Sequence, residues 1–154
     1  MSQSLRERLS EEMKLSLKNK ETKKTGTIRM IIAAIKDQDI LLQTKGQPSG
    51  LSESEIPGLL QKMIKQRRDS ILLYEQGDRL DLAQQERNEI DIISSFLPKQ
   101  FSDGELNNLL RQLITTQGIT GPKDFGKVMS VLKSQYPGQI DMTKAGALLK
   151  QFFA

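Results

Sequence analysis

The sequence contains neither cysteine nor histidine. That removes disulfides, thiolate nucleophiles, imidazole bases and the usual zinc sites at one stroke. A metal would have to be held by carboxylates and carbonyls alone, and no EF-hand loop or comparable acidic cluster is present. The reading is therefore of a chain with no metal and no cofactor. Aromatics make up only 5% of the residues, which is low for a β-protein and leaves few rings on which single-stranded bases could stack. No apolar run approaches the roughly 20 residues that span a bilayer. The first 17 residues are charged and periodic, without the apolar core or cleavage motif of a signal peptide. The expectation is a cytoplasmic protein with no membrane partner.

What is present is charge and helical period. Of 154 residues, 27% are charged and 36% hydrophobic, with a net charge of +4. The balance is only mildly basic, but its distribution is uneven. Lys14, Lys18, Lys20, Lys23, Lys24, Arg29 and Lys36 face only Glu21 between positions 14 and 36. A second cluster is Lys62, Lys65, Arg67 and Arg68.

Apolar residues recur at helical spacing throughout. The first helix spans about 2 to 20, with Leu5, Leu9, Met13 and Leu17 as its stripe. Ile28, Ile31, Ile32, Ile35 and Leu42 mark a second, ending before Gly46-Gln47-Pro48. The third starts near Ser52 or Ser54. Ser52 and Glu55 read as a capping box, while Pro57 suits a first turn and so favours the later start. Its stripe is Leu60, Met63, Ile64, Arg67, Ile71 and Tyr74, and Gly77-Asp78 ends it. The fourth carries Leu82, Glu86, Ile90, Ile93 and Leu97, and Pro98 stops it.

Beyond that proline the pattern restarts. Ser102 and Glu105 form another capping box ahead of Leu106, Leu109, Leu110 and Leu113. A further helix spans about 122 to 135, and Asp141 caps a last one bearing Ala145, Leu148, Leu149 and Phe152. The fold class is all-α: an antiparallel, bundle-like N-terminal domain over 1–98, followed by a small three-helix domain over 99–154.

Arg67 and Glu86 interrupt apolar stripes on consecutive helices. They lie at similar distances from the turn at Gly77 and so at similar heights in an antiparallel pair, at about 1.5 Å rise per residue. They are expected to face each other as a structural, bidentate ion pair. The functional alternative has Arg67 pointing outward to a phosphate.

At these same residues the sequence resembles the YqeY-like family along nearly its whole length. The resemblance is carried by Ile28-Arg29-Met30, by 65–71 (Lys-Gln-Arg-Arg-Asp-Ser-Ile), by 77–83 (Gly-Asp-Arg-Leu-Asp-Leu-Ala) and by Glu86 with Glu89. It continues through 96–102 (Phe-Leu-Pro-Lys-Gln-Phe-Ser) and 125–129 (Phe-Gly-Lys-Val-Met). Phe125, where the family pattern favours methionine, and Pro57-Gly58, where it favours a plain helix former, depart from it.

The resemblance implies an N-terminal helical domain and a small three-helix domain. It also implies kinship with the C-terminal tail of the B subunit of glutamine-dependent aspartyl/glutamyl-tRNA amidotransferase. That tail is associated with tRNA recognition, while the chemistry of this carbon–nitrogen ligase belongs to other parts of the enzyme. This chain has no P-loop and no room for a glutaminase or kinase-like domain, so catalysis by the isolated chain is not expected. The acid pair Glu86 and Glu89 has the i, i+3 spacing that helices show by chance.

Two binding functions follow. The first is recognition of tRNA or another structured RNA through phosphates. Its candidate contacts are Lys14, Lys18, Lys20, Lys23, Lys24, Arg29, Lys62, Lys65 and Arg68. Lys123 and Lys127 join them at a helix start where Gly126 permits close approach either of a phosphate or, more simply, of another helix. The bland reading of the lysine run is a solvated helix end. The second function is docking on an amidotransferase, a synthetase or another protein partner. Phe152 and Phe153 are adjacent on a helix and cannot both face one core, which leaves one of them for a contact.

Overall fold

A computed structural model describes residues 3–153. Among them are seven α-helices, one 3-10 turn and no strand. The chain divides into two compact units, Met1–Leu97 and Pro98–Ala154.

The first unit contains α1 (Leu5–Lys18), α2 (Thr22–Thr44), α3 (Ile56–Gln76) and α4 (Leu80–Ser94). α3 packs most extensively on α4, α1 on α2, and α2 more lightly on both α3 and α4. Glu75 pairs with Arg87 near the α3–α4 turn and Arg67 with Glu89 further from it, which makes the two helices antiparallel. The core is Leu9, Ile28, Ile31, Ile35, Leu51, Ile56, Leu60, Met63, Ile64, Ile93 and Phe96. Among the described residues no helix is long and apolar enough to cross a membrane.

Two differences from the sequence reading have plain causes. Leu17 is 49% exposed. A spacing of four residues drifts by about 40° per step on a helix, so by the fourth apolar residue of α1 the stripe has rotated off the core. Ser16, one residue earlier, is buried in its place. α3 starts at Ile56 with Pro57 in its first turn. Glu55 reaches back to the N–H and hydroxyl of Ser52, but these residues form a turn ahead of the helix rather than a full capping box.

The loop between α2 and α3 is held by Asp39. Arg6 donates two hydrogen bonds to its carboxylate (2.8 and 3.0 Å) and a third to the Leu51 carbonyl. The Leu51 N–H donates to Asp39 Oδ1 at 2.7 Å. Thus α1, α2 and the loop meet at one ion pair.

The second unit contains α5 (Asp103–Thr116), a 3-10 turn (Pro122–Asp124), α6 (Phe125–Gln135) and α7 (Met142–Phe152). Ser102 and Glu105 make a complete capping box, and Asp141 accepts from the N–H groups of Thr143 and Lys144. The core of this unit shares no residue with the first: Leu106, Leu109, Leu110, Leu113, Ile119, Val128, Leu132, Ile140, Ala145 and Leu149.

Candidate nucleic-acid interface

The end of α1 and the start of α2 form a corner. Ser16 and Thr25 meet hydroxyl to hydroxyl at 2.7 Å in the interior, where one donates to the other and the other donates to a nearby backbone carbonyl, that of Met13 or of Glu21. This buried pair ties the two helices and fixes what lies outside it. Outside is a shallow depression of about 170 Å³ lined by Ser16, Leu17, Lys20, Thr22, Thr25, Gly26 and Arg29. A broader one next to it is lined by Lys20, Glu21, Thr22, Lys23 and Lys24 and, from α4, by Asn88, Asp91 and Ile92.

Four of the sequence candidates therefore come together at this corner: Lys20, Lys23, Lys24 and Arg29. They are not equivalent. Lys24 is neutralised by Glu12 at 3.1 Å, with Glu21 at 3.9 Å. Lys20, Lys23 and Arg29 are exposed, and none pairs with a carboxylate among the described residues. Lys14 and Lys18 are exposed along α1, and Lys62, Lys65 and Arg68 along α3. Lys123 and Lys127 are exposed in the second unit, at the 3-10 turn and in the first turn of α6. A Cβ added to Gly126 would meet nothing within 4 Å. That corrects the reading of Gly126 as a tight helix-packing position.

The Arg67–Glu86 pair differs from its expected form. Arg67 Nε is 3.9 Å from Glu86 but donates a 2.9 Å hydrogen bond to Glu89, one turn further along α4. The remaining donors explain why. Nη1 goes to the Met63 carbonyl and Nη2 approaches Met30 Sδ, which turns Nε toward Glu89. Arg67 is only 13% exposed and its guanidinium is spent inside the fold, so it does not point outward to a phosphate. Burial, followed by the nearby Glu89 charge, pushes the Glu86 carboxyl above the ordinary carboxylate range, and Arg67 only partly offsets this. The acid pair straddles one cation and serves the α3–α4 contact.

The C-terminal phenylalanines are also accounted for within the second unit. Phe153 packs against Phe125 with ring centroids 5.6 Å apart, and Arg111 lies 5.8 Å from the Phe152 ring centre. Both are half-buried, so neither is the fully exposed ring that the sequence reading expects. The most exposed large apolar side chains lie instead at the α3–α4 turn: Leu72, Leu73 and Leu80, each at least 60% exposed. The helical period holds the signal for two of them, since Leu72 and Leu73 fall off the stripe that runs from Ile71 to Tyr74.

Comparison with known proteins adds relatives from yeasts. The "Altered inheritance of mitochondria protein 41, mitochondrial" of Lachancea thermotolerans is 30% identical over 94% of this chain and 79% of its own length. Its counterpart in Vanderwaltozyma polyspora is 28% identical over 92% and 79%. The one in Candida glabrata is 32% identical over 58% and 47%. These relatives overturn the expectation of a cytoplasmic location: they are named as mitochondrial proteins, and the character of the first 17 residues was too thin a basis for assigning a compartment. The Yqey-like protein family model matches residues 6–153, nearly the whole chain, and this protein belongs to that family.

Proposed function

We propose that the chain is a stand-alone counterpart of the amidotransferase B-subunit tail, a non-catalytic module that binds tRNA or another structured RNA in an accessory role linked to glutamine-dependent tRNA amidation. One observation carries this reading: three exposed cations without carboxylate partners among the described residues, Lys20, Lys23 and Arg29, are gathered around two adjoining depressions at the α1–α2 corner. Long cations at a concave surface suit phosphates, and a folded RNA is recognised largely by its shape and backbone. Without histidine or cysteine, and with the Glu86–Glu89 pair engaged by Arg67, the reading assigns the chain recognition rather than chemistry.

A second reading, docking on an amidotransferase, a synthetase or another protein partner, is favoured by the exposure of Leu72, Leu73 and Leu80. Salt separates the two, because phosphate contacts weaken steeply with salt and an apolar contact hardly responds. The test is anisotropy of labelled total tRNA at two salt concentrations, with a Lys23→Glu/Arg29→Glu variant alongside. Lys24 is left intact because Glu12 already neutralises it. Salt-sensitive binding that the variant loses is the expected result. Absence of binding at micromolar protein refutes the RNA reading and turns attention to the α3–α4 tip.

A further inference from the structure

α1 ends in a left-handed closure. The Glu21 N–H donates to the Ser16 carbonyl at 2.9 Å and the Lys20 N–H to the Leu17 carbonyl at 3.1 Å. The residue that turns the chain is Lys20, at φ +58°. α2 and α5 share the first of these bonds, from the Gln47 N–H to the Leu42 carbonyl and from the Ile119 N–H to the Ile114 carbonyl. Those two closures place glycine at the turning position, Gly46 at +92° and Gly118 at +63°. Glycine adopts this conformation without steric cost, whereas a side chain there is strained. The α1 closure therefore carries a long cation at a site where α2 and α5 use glycine and α3 uses Asp78, at φ +56°.

Lys20 lines both depressions of the basic corner, and only Thr22 shares this position with it. Arg29 lines the first depression alone and Lys23 the second. Across both depressions Lys20, Lys23, Lys24 and Arg29 face Glu21 and Asp91, an excess of two charges that falls to one once Lys24 is counted with Glu12. This modest positive excess suits a singly charged diester better than a doubly charged monoester.

We propose that Lys20 is the central phosphate contact of the corner, and that the ligand is a phosphodiester strand lying across both depressions rather than a single phosphate. The proposal rests on the RNA reading above and narrows it to one residue and one class of ligand.

The left-handed position makes the test clean, because removing the lysine relieves strain. Lys20→Gly is expected to raise the denaturation midpoint while weakening tRNA binding about tenfold, and to reduce the slope of log K against log salt by about 1. Lys20→Asn, which tolerates the same backbone, should weaken binding equally. A short single-stranded RNA should compete for the site, whereas inorganic phosphate at matched ionic strength should not. If the wild-type chain binds no tRNA, the RNA reading falls and this proposal with it. If the wild type binds and both Lys20 variants bind equally well, the RNA reading stands and the assignment of Lys20 is overturned. Equal competition by inorganic phosphate overturns the strand across two depressions.

Discussion

At the scale of single residues, the helix contact in the first unit turns on how one arginine divides itself between two acids. Arg67 bonds to Glu89 and merely approaches Glu86. Glu89→Ala should cost about 2 kcal/mol, since a charge-assisted bond at a largely buried site is lost while Glu86 stays near enough to keep Arg67 partly compensated. Glu86→Gln should be neutral or stabilising at neutral pH, because the fold holds that carboxyl above its ordinary range and ionising it works against folding. The sign follows from proton binding. Between the unfolded and the folded pKa of Glu86 the folded state holds more protons, so this group lowers stability as pH rises through that window. Urea midpoints of both variants at pH 4 and pH 7 would check the pair, and a loss from Glu86→Gln as large as that from Glu89→Ala would reverse their roles.

Asp39 has the opposite sign. The Arg6 hydrogen bonds, followed by the Leu51 N–H, hold its carboxyl below the ordinary range. Its contribution is fully present above the unfolded carboxylate value and is lost as pH falls through the folded one. Asp39→Asn should therefore be destabilised by about 2 kcal/mol at pH 7. The gap to wild type should shrink on acidification, and thermal midpoints from pH 7 to pH 3 would measure it.

At the scale of elements, helix ends carry the most information. α3 closes as α1 does, with Arg79 N–H donating to the Tyr74 carbonyl and the turning residue, here Asp78, at φ +56°. Aspartate tolerates this region better than most side chains but less well than glycine. Asp78→Gly should raise stability by about 0.5–1 kcal/mol, read as a shift in urea midpoint at constant m-value. Asp78 lines neither basic depression, so the same change should leave tRNA binding unaltered.

The helices themselves were legible because their signals are local. Apolar period, the Ser102–Glu105 box and the Asp141 cap act over a few residues, and each appears in the fold, whereas α4 ends at Ser94, short of the Leu97 and Pro98 expected to close it. The pairings that shape the site were not legible in the same way. Ser16 meets Thr25 and Arg6 meets Asp39 because α1 and α2 pack at a particular rotation, and hydrophobic spacing fixes that only to within a residue or so. The same limit explains why Leu17 turns out of the core and why Arg67, paired with Glu86 at 3.9 Å, makes its hydrogen bond to Glu89 one turn on. The basic run at 14–36 was visible as composition. Which of its members gather at a concave surface, and that Lys24 is already neutralised, depends on Glu12 and on α4, both outside the run.

At the scale of the whole molecule, the two units carry cores with no residue in common. A domain as small as the second buries only about 60% of the surface its unfolded chain exposes and is correspondingly marginal. Leu110 is fully buried there. Leu110→Ala creates a cavity costing about 2–5 kcal/mol, comparable with the entire stability of so small a core. If each core folds on its own account, this variant should lose hydrogen-exchange protection throughout α5, α6 and α7 while amides of α1 to α4 keep theirs. The basic corner lies wholly within the first unit, so tRNA affinity through Lys20, Lys23 and Arg29 should survive the change. Loss of protection in both units would show that they fold as one cooperative body. Loss of RNA binding with the first unit still protected would assign Lys123 and Lys127 a share of the interface that the corner alone does not supply.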